Sequence, residues 1–239
     1  MSAGKLLDIY EGQDPASLPA YSVAEAAHYL ALPAATVRAW VMGRTYPTEA
    51  GKQFSKPLIS IADRTEALLS FQNLVEIYVL GAIRRRHRVK MSAIRKALIF
   101  LAREFDCRRP LSDEHMMTDG SSLLVEKYGK LINASEAGQL EMRELLVRYL
   151  RRIERDPSGH IRRLFPFTSS RLEEKRRPVA IDPRVQFGRP CLAGTGIPTD
   201  VIVDRWRAGD TIAEIAEDYG EEPIDIEEAI RYEEQEAAA

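Results

Sequence analysis

The spacing of apolar residues near the start of the chain predicts two short helices joined by a tight turn. Ser22 and Glu25 have the spacing of a capping box, and Pro33 opens the second helix. The predicted apolar faces are Val23, Ala26, Ala27 and Leu30 on the first helix and Val37, Trp40 and Val41 on the second. This pattern is typical of a helix-turn-helix, although a generic pair of core helices would share it.

The pattern changes after the second helix. Glycine and proline punctuate residues 43–62, and Leu58, Ile59 and Ile61 predict a short strand in the place of a wing. Residues 71–83 are then apolar almost all round, which predicts a buried helix.

A basic run and another helix follow. The run RRRHRVK (84–90) is either a solvated helix end, favourable to the helix dipole, or a set of phosphate contacts. Apolar residues at helical spacing between Met91 and Phe105 predict an amphipathic helix.

The middle of the chain has turn patterns followed by a helical pattern. Asp119-Gly120 predicts a hairpin turn, and Gly129 a further turn. A later helix is marked by Met142, Leu145, Leu146, Tyr149 and Ile153, with Arg148, Arg151, Arg152 and Arg155 on its other face. Residues 156–159 end it, and the polar stretch 169–178 is predicted to be a linker.

The last segment predicts short strands and turns, then three helices. The first starts at Thr199 or Asp200 and runs to about Ala208. Thr211 with Glu214 forms a capping box for the second, whose apolar face is Ile212, Ile215, Ala216 and Tyr219 and whose end is at Gly220. The third starts at Asp225 and carries Ile226, Ala229 and Ile230. This is a second helix-turn-helix pattern.

These elements predict a mainly α fold with small β elements. The expected domains are a winged helix-turn-helix over 1–105 (the head), an α+β middle segment over 106–168 of unknown role, the linker, and a three-helix domain over 179–239 (the tail).

Charge separates the two helix-turn-helix segments. The tail has 5 Lys and Arg against 15 Asp and Glu, a net charge of −10, whereas the other 178 residues have 29 against 21, a net charge of +8. Because a duplex attracts cations, the basic part is suited to nucleic acid, and the acidic part is suited to a basic protein partner or to a dimer contact.

The candidate DNA-binding residues are therefore in the head. Thr36 and Arg38 are the donors on the exposed face of the second helix, where base edges are read. Arg44, Lys52 and Lys56 in the wing segment are suited to phosphate contacts.

In the tail, the third helix has one cation, Arg231, against six carboxylates, which disfavours DNA. Trp206, Tyr219 and Arg231 are the candidate partner-binding residues. A buried core position is an equal alternative for Trp206.

Several functions are not expected. The carboxylates of residues 214–236 have ordinary solvated spacing, and no histidine or lysine accompanies them, so no catalytic residue, metal or cofactor is predicted. Two cysteines make neither a disulfide framework nor a four-ligand zinc site. No apolar run reaches the length of a membrane span, and the N-terminus lacks a signal-peptide pattern, so the expected location is the cytoplasm.

Residues 21–105 resemble the winged helix-turn-helix of the MerR family. The likeness is carried by Tyr21-Ser22-Val23, Ala26-Ala27, Leu32-Pro33, Thr36-Val37-Arg38 and Trp40. The family's wing has an arginine and an aromatic residue after a glycine, whereas this wing has GKQFSKP. The resemblance therefore implies that Lys52, Phe54 or Lys56 makes the wing's contact with DNA. The family's long dimerising coiled coil is missing.

Residues 181–232 resemble small homeodomain-like domains recognised as VapB-type antitoxins. The motifs are IDP, GRPCLAGTGIPTD, TIAEIAEDYG and IEEAIRY. Relatives have GTRIPV where this chain has GTGIPT, so Gly196 replaces an arginine and Thr199 a valine.

The two resemblances together imply a long VapB-type antitoxin of the actinobacterial kind. Such a protein is no enzyme: it neutralises a PIN-domain ribonuclease toxin, and its head binds operator DNA as a homodimer to autoregulate the operon. The alternative is a stand-alone MerR-like transcription regulator that responds to a small ligand through residues 106–168.

Overall fold

The first two helices of the head form as their sequence predicts. The computed structural model describes residues 10, 12–49, 51–84, 91–117, 119–132, 135–166 and 177–235. Helix α1 (Val23–Tyr29) has the capping box, because the Glu25 amide donates to Ser22 Oγ (3.1 Å) and the Ser22 amide to Glu25 Oε2 (2.8 Å). Helix α2 (Ala34–Met42) buries Val37, Trp40 and Val41 as predicted. Pro33 precedes its first residue instead of lying in its first turn.

The wing is a two-stranded hairpin, but its strands are not where the sequence pattern put them. Strands β1 (Arg44–Thr48) and β2 (Gly51–Ser55) pair antiparallel. The predicted strand at residues 58–61 is wrong. The amides of Leu58 and Ile59 instead donate to the carbonyl of Trp40 (2.7 and 3.2 Å), one of the last carbonyls of α2, which has no partner inside its helix.

Two long helices complete the head. Helix α3 (Phe71–Arg84) is buried over nearly its whole length, and α4 (Met91–Glu104) is amphipathic, as predicted. Of the basic run that joins them, residues 85–90 lie outside the described residues.

The middle segment corrects two predicted turns. Asp119-Gly120 begins helix α5 (Asp119–Ile132), and Gly129 lies inside it. Buried Leu124, Val125 and Tyr128 give this stretch a helical period that overrides the turn signal. A Cβ on Gly129 would lie 2.5 Å from the Gln139 side chain, so this glycine permits the close approach of the next helix.

The predicted arginine face is also corrected. Helix α6 (Glu136–Leu150) ends before Ile153, which starts strand β3 (Ile153–Arg155). Arg152 is buried, and Arg155 donates to the carbonyls of Ser112 (2.8 Å) and Gly159 (2.8 Å). Residues 156–159 turn the chain into β4 (Ile161–Leu164).

One antiparallel sheet joins the middle segment to the tail. Its order is β3-β4-β5-β6, where β5 is Val179–Ile181 and β6 is Pro190–Leu192. Leu164 pairs with Ile181, and both lie in the large core that continues into the head. Most of the predicted linker, residues 169–176, lies outside the described residues, and the domain boundaries stay a prediction.

The three tail helices match their predicted positions with two changes at their starts. Helix α7 (Thr199–Ala208) follows Pro198, and the buried Thr199 hydroxyl oxygen lies 3.3 Å from the Pro190 carbonyl oxygen and does not cap the helix. Helix α8 (Ile212–Tyr219) has the predicted capping box and ends at Gly220 (φ +70°). Helix α9 (Pro223–Glu233) starts two residues before Asp225, with Pro223 in its first turn. The observed fold is therefore mixed α and β with a helix-turn-helix.

Candidate functional site

Helix α2 has one exposed charged side chain, and its other exposed residues are alanines. Arg38 is exposed, and so are Ala34 and Ala35 one turn earlier. Thr36 is half-buried. The Thr36 hydroxyl accepts a hydrogen bond from Arg84 Nη1 at 2.5 Å. Of the two predicted base-reading residues, Arg38 faces solvent and Thr36 is engaged within the head.

Arg84, which the sequence pattern did not separate from the basic run, is fixed beside α2. Its guanidinium lies 5.9 Å from the centre of the Trp40 ring while it donates to Thr36. The side chain is exposed, so it adds a positioned positive charge to the same surface as Arg38.

The wing carries the other predicted cations on exposed strands. Arg44 begins β1, Lys52 lies opposite Pro47 on β2, and Lys56 follows β2 directly. All three are exposed, and Glu49 at the hairpin tip is the opposing charge. The five cations of α2, Arg84 and the wing, together with this one carboxylate, make a basic surface suited to phosphate.

Two contacts fix the wing on the head. Arg95 on α4 donates to the carbonyls of Lys56 (2.5 Å) and Pro57 (2.9 Å) and to Ser55 Oγ (3.4 Å). Phe54 is 59% exposed, yet one edge of its ring packs on Gly43, where a Cβ would lie 2.5 Å from Phe54 Cζ. The wing therefore has a defined position beside α2.

The tail places its three predicted partner residues differently from one another. Trp206 on α7 is 37% exposed, so it lies at the surface. Tyr219 is half-buried under the Arg205 guanidinium, 5.3 Å from the ring centre. Arg231 forms an ion pair with Glu228, whose side chain is fully buried.

The exposed surface of the tail is acidic. Exposed carboxylates lie on α7, on α8 and in the loop before α9: Asp204, Glu214, Glu217, Asp218 and Glu222. Arg205 on α7 is held by Asp210 (2.7 Å) and Asp218 (2.6 Å), and these bonds raise the pKa of its guanidinium. Among the described residues no cluster of metal-ligating side chains is present.

A second exposed aromatic residue in the tail was not anticipated. Phe187 is 76% exposed on a short 3₁₀ turn (Gln186–Gly188). Gln186 and Phe187 both have left-handed backbone angles (φ +48° and +55°), which are unfavourable for residues other than glycine. Neither hydrophobic spacing nor charge indicates such a position in the sequence.

Helix α9, the counterpart of a recognition helix, is packed inward. Its residues Ile226, Glu228, Ala229, Ile230 and Tyr232 are buried. The Tyr232 hydroxyl donates to the Tyr29 carbonyl at the end of α1 (2.9 Å). This helix cannot enter a DNA groove while it is docked on the head.

The end of α9 adds an ionic contact with the head. Glu233 Oε2 lies 2.7 Å from His28 Nε2, and the Thr199 hydroxyl donates to the other oxygen of the same carboxylate. The hydrogen bond to Glu233 raises the pKa of His28 above its ordinary value.

A third contact between head and tail is steric. The Tyr21 hydroxyl is buried with no hydrogen-bond partner among the described residues. It occupies the space beside Gly188, where a Cβ would lie 1.9 Å from Tyr21 Oη. Gly188 has a left-handed backbone (φ +82°) and lets the tail approach the head closely.

Two protein families match separate parts of the chain. The family described as "Putative DNA-binding HTH domain" matches residues 19–98, and a family described as "Protein of unknown function" matches residues 179–232. In Mycobacterium tuberculosis, the "Putative antitoxin VapB45" is 29% identical over 231 residues, covering 89% of this chain and 93% of that protein.

A solved structure shares the fold. The crystal structure of Rv2018 from Mycobacterium tuberculosis superposes with a TM-score of 0.62 at 23% identity, over 89% of this chain and 98% of that one. In the part of the chain that the structure describes, no helix is long and apolar enough to cross a bilayer. The chain therefore carries a helix-turn-helix domain and is similar, over most of its length, to the mycobacterial protein named "Putative antitoxin VapB45".

Proposed function

We propose that this protein is an antitoxin that binds DNA with its head and a toxin with its tail. The single observation that supports this best is the opposite charge of two exposed surfaces on one fold. The wing and α2 expose cations, whereas the tail exposes carboxylates and buries the helix that would otherwise read DNA. The similarity to a mycobacterial antitoxin and to a DNA-binding helix-turn-helix supports the same division.

The DNA target in this proposal is the operator of the protein's own operon. Arg38 approaches base edges, and Arg44, Lys52 and Lys56 contact phosphates, which position the head without reading sequence. A homodimer presents two heads to a palindromic site, because a two-fold axis in the protein matches one in the DNA.

The toxin in this proposal is a PIN-domain ribonuclease encoded beside this chain. A ribonuclease must attract a polyanion, so its substrate surface is expected to be basic. The acidic tail is complementary to such a surface and would cover it. Trp206 supplies an exposed aromatic anchor within the acidic surface.

The test is rescue of growth by full-length variants co-expressed with the product of the adjacent toxin-type gene. Removal of residues 179–239 is unsuitable, because β5 pairs with β4 and Ile181 lies in the shared core. We choose instead the charge reversals Asp204→Lys, Glu217→Lys and Glu222→Lys, three exposed side chains outside the capping boxes.

We expect the triple variant to lose rescue and keep its affinity for DNA. The matched control reverses three exposed carboxylates elsewhere: Glu66→Lys, Glu104→Lys and Glu144→Lys. Because both variants change the net charge equally, a difference between them reports the tail surface itself. Rescue by the tail variant at the level of the control would refute the proposed partner surface.

A further inference from the structure

A cavity lies beneath the base of the wing. It has a volume of about 190 Å³ and is bounded by α3, α4, the chain after β2 and the chain after α4. Its apolar side includes Leu58, Leu98 and Leu111. The cavity is open to solvent on one side. Because roughly 150 Å³ is enough to hold benzene, its volume is sufficient for a compact ring or a short aliphatic chain.

The charged side of the cavity has an excess of cations. Arg95, Arg108 and Arg109 line it together with one carboxylate, Glu76. Arg109 Nη1 donates to Glu76 Oε2 at 2.7 Å, and Asn73 donates to the same oxygen at 2.9 Å. Burial nevertheless raises the pKa of Glu76 to about 6. The ionised Glu76 compensates only Arg109, and two guanidinium groups remain.

Among the described residues, neither remaining guanidinium has a carboxylate partner. Within that part of the chain the half-buried Arg95 donates to neutral oxygens, those of Ser55, Lys56 and Pro57, and these bonds use three of its five N–H donors. Arg108 forms no hydrogen bond or ion pair with any residue in the described part of the chain. A cavity of this kind is positively charged on one side and apolar on the other.

We propose that this cavity binds a small organic carboxylate. The carboxylate lies against Arg95 and Arg108, where charge-assisted hydrogen bonds are strong, and the apolar body lies against Leu58, Leu98 and Leu111. Binding at this site does not depend on the toxin and DNA proposals, since the residues that line the cavity are not among those assigned to them.

Arg95 connects this site to the wing. The same guanidinium that faces the cavity holds the carbonyls of Lys56 and Pro57 at the base of β2. A carboxylate that takes the two remaining donors of Arg95 pulls the guanidinium toward the cavity and so reorients these contacts. Occupancy of the cavity therefore changes the position of Lys56 relative to α2.

The experiment is a titration of the full-length protein with benzoate, followed by methyl and amide NMR. Benzoate supplies a ring and a carboxylate, and benzamide has the same shape without the charge. We expect saturable shifts of the Leu98 and Leu111 methyl groups with benzoate, and at least tenfold weaker binding of benzamide. Arg108→Ala is expected to weaken benzoate binding about tenfold, whereas Arg103→Ala, an exposed arginine outside the cavity, leaves it unchanged.

Each other result overturns part or all of the proposal. Absence of saturable shifts with benzoate, equal affinity for benzamide, or unchanged affinity in Arg108→Ala removes the carboxylate site. Shifts of the lining methyl groups without a shift of the Lys56 amide remove the link to the wing.

Discussion

The head and the tail share a helical pattern and differ in which helix faces solvent. In both, a capped helix is followed by a tight turn and a second helix. In the head the second helix, α2, exposes Arg38 beside a basic wing. In the tail the second helix, α9, is packed on the sheet and on α1. A helix-turn-helix pattern therefore predicts how two helices pack together. The exposure and charge of the second helix determine whether it can bind DNA.

The largest effect is expected from removing the cations of the head. The variant Arg38→Ala, Lys52→Ala and Lys56→Ala should bind operator DNA on the order of a hundredfold more weakly at moderate salt. The slope of log K against log salt should become shallower by about 2, because the phosphate contacts of Lys52 and Lys56 contribute about 0.9 each.

A salt series measured by fluorescence anisotropy tests this expectation. The control is Arg143→Ala, an exposed cation on α6 outside the basic surface. If the triple variant and the control have the same slope, the basic surface is not the DNA-binding surface. The exposure of α2 would then not distinguish the head from the tail in DNA binding.

The next largest effect is expected where the tail docks on the head. Gly188→Ala places a Cβ in a left-handed residue and 1.9 Å from Tyr21 Oη, and should lower the free energy of unfolding by about 3 kcal/mol. Gly194→Ala is the matched control, because Gly194 also has a left-handed backbone (φ +87°) but open space around it. Its expected cost is about 1 kcal/mol.

Chemical denaturation of both variants measures the difference. Adding Tyr21→Phe to Gly188→Ala should recover part of the loss, since it removes the oxygen that the new methyl group meets. Equal losses in the two alanine variants would show that head and tail are not held together at this point.

A buried carboxylate in the basic head behaves differently from the exposed carboxylates of the tail. Burial raises the pKa of Glu76 to about 6 from an ordinary value of 4.5, so the folded state favours the protonated form. The protonated Glu76 side chain therefore stabilises the folded state below pH 4.5, and this stabilisation is lost as the pH rises through 6. At about 1.4 kcal/mol per pKa unit, the loss is about 2 kcal/mol.

Glu76→Gln removes this titration. The difference in unfolding free energy between the wild type and Glu76→Gln should change by about 2 kcal/mol between pH 4 and pH 8, in the direction that favours the variant at high pH. The exposed Glu217→Gln is the control and should show no such change. A flat difference for Glu76→Gln would place its carboxylate in a polar environment.

A smaller effect is expected from the exposed aromatic residue of the tail. Trp206→Ala should weaken toxin binding by about 1–2 kcal/mol, since exposed tryptophans at interfaces are frequent anchors. Calorimetry with the purified toxin measures this, and the exposed Ile99→Ala in the head is the control. Unchanged affinity would place the toxin elsewhere on the tail.

The smallest effect concerns the ionic contact between α1 and α9. The pKa of His28 is raised by its hydrogen bond to Glu233, so this contact stabilises the protein below pH 6.5 and is lost as the pH rises through the raised pKa. Because His28 is 41% exposed at its side chain, the expected contribution is below about 1 kcal/mol. Glu233→Gln should remove this pH dependence of the denaturation midpoint, and its persistence in the variant would assign it to another group.

The sequence predicts those parts of the fold that depend on local chemistry. Both capping boxes, the buried side of α2 and the Gly220 terminus are confirmed, because a cap or a left-handed glycine acts within one turn of chain. The turn at Asp119-Gly120 and the strand at residues 58–61 were wrong for the opposite reason. Tertiary contacts decide both: the packing of α5 in one case, and the free carbonyl of Trp40 in the other.

The candidate site also has features that the sequence predicts and contacts that form only in the folded chain. Charge counting separates the acidic tail from the basic remainder of the chain, because net charge is a sum over residues and needs no knowledge of the fold. It cannot show that Arg84 engages Thr36, that Arg95 holds the wing, or that Glu233 meets His28. These pairs are separated by 39 to 205 residues and exist only once the chain has folded.

The docking of α9 on α1 has a consequence for binding energies. Tyr232 and Glu233 bond the last turn of the tail to the helix that precedes α2, so the two surfaces belong to one connected structure. Under the proposed function, a toxin that strengthens or loosens these bonds would change the affinity of the head for DNA by some factor. By thermodynamic reciprocity, DNA then changes the affinity for the toxin by that same factor. Measuring toxin affinity with and without operator DNA would therefore give the coupling free energy between the two ends of the molecule.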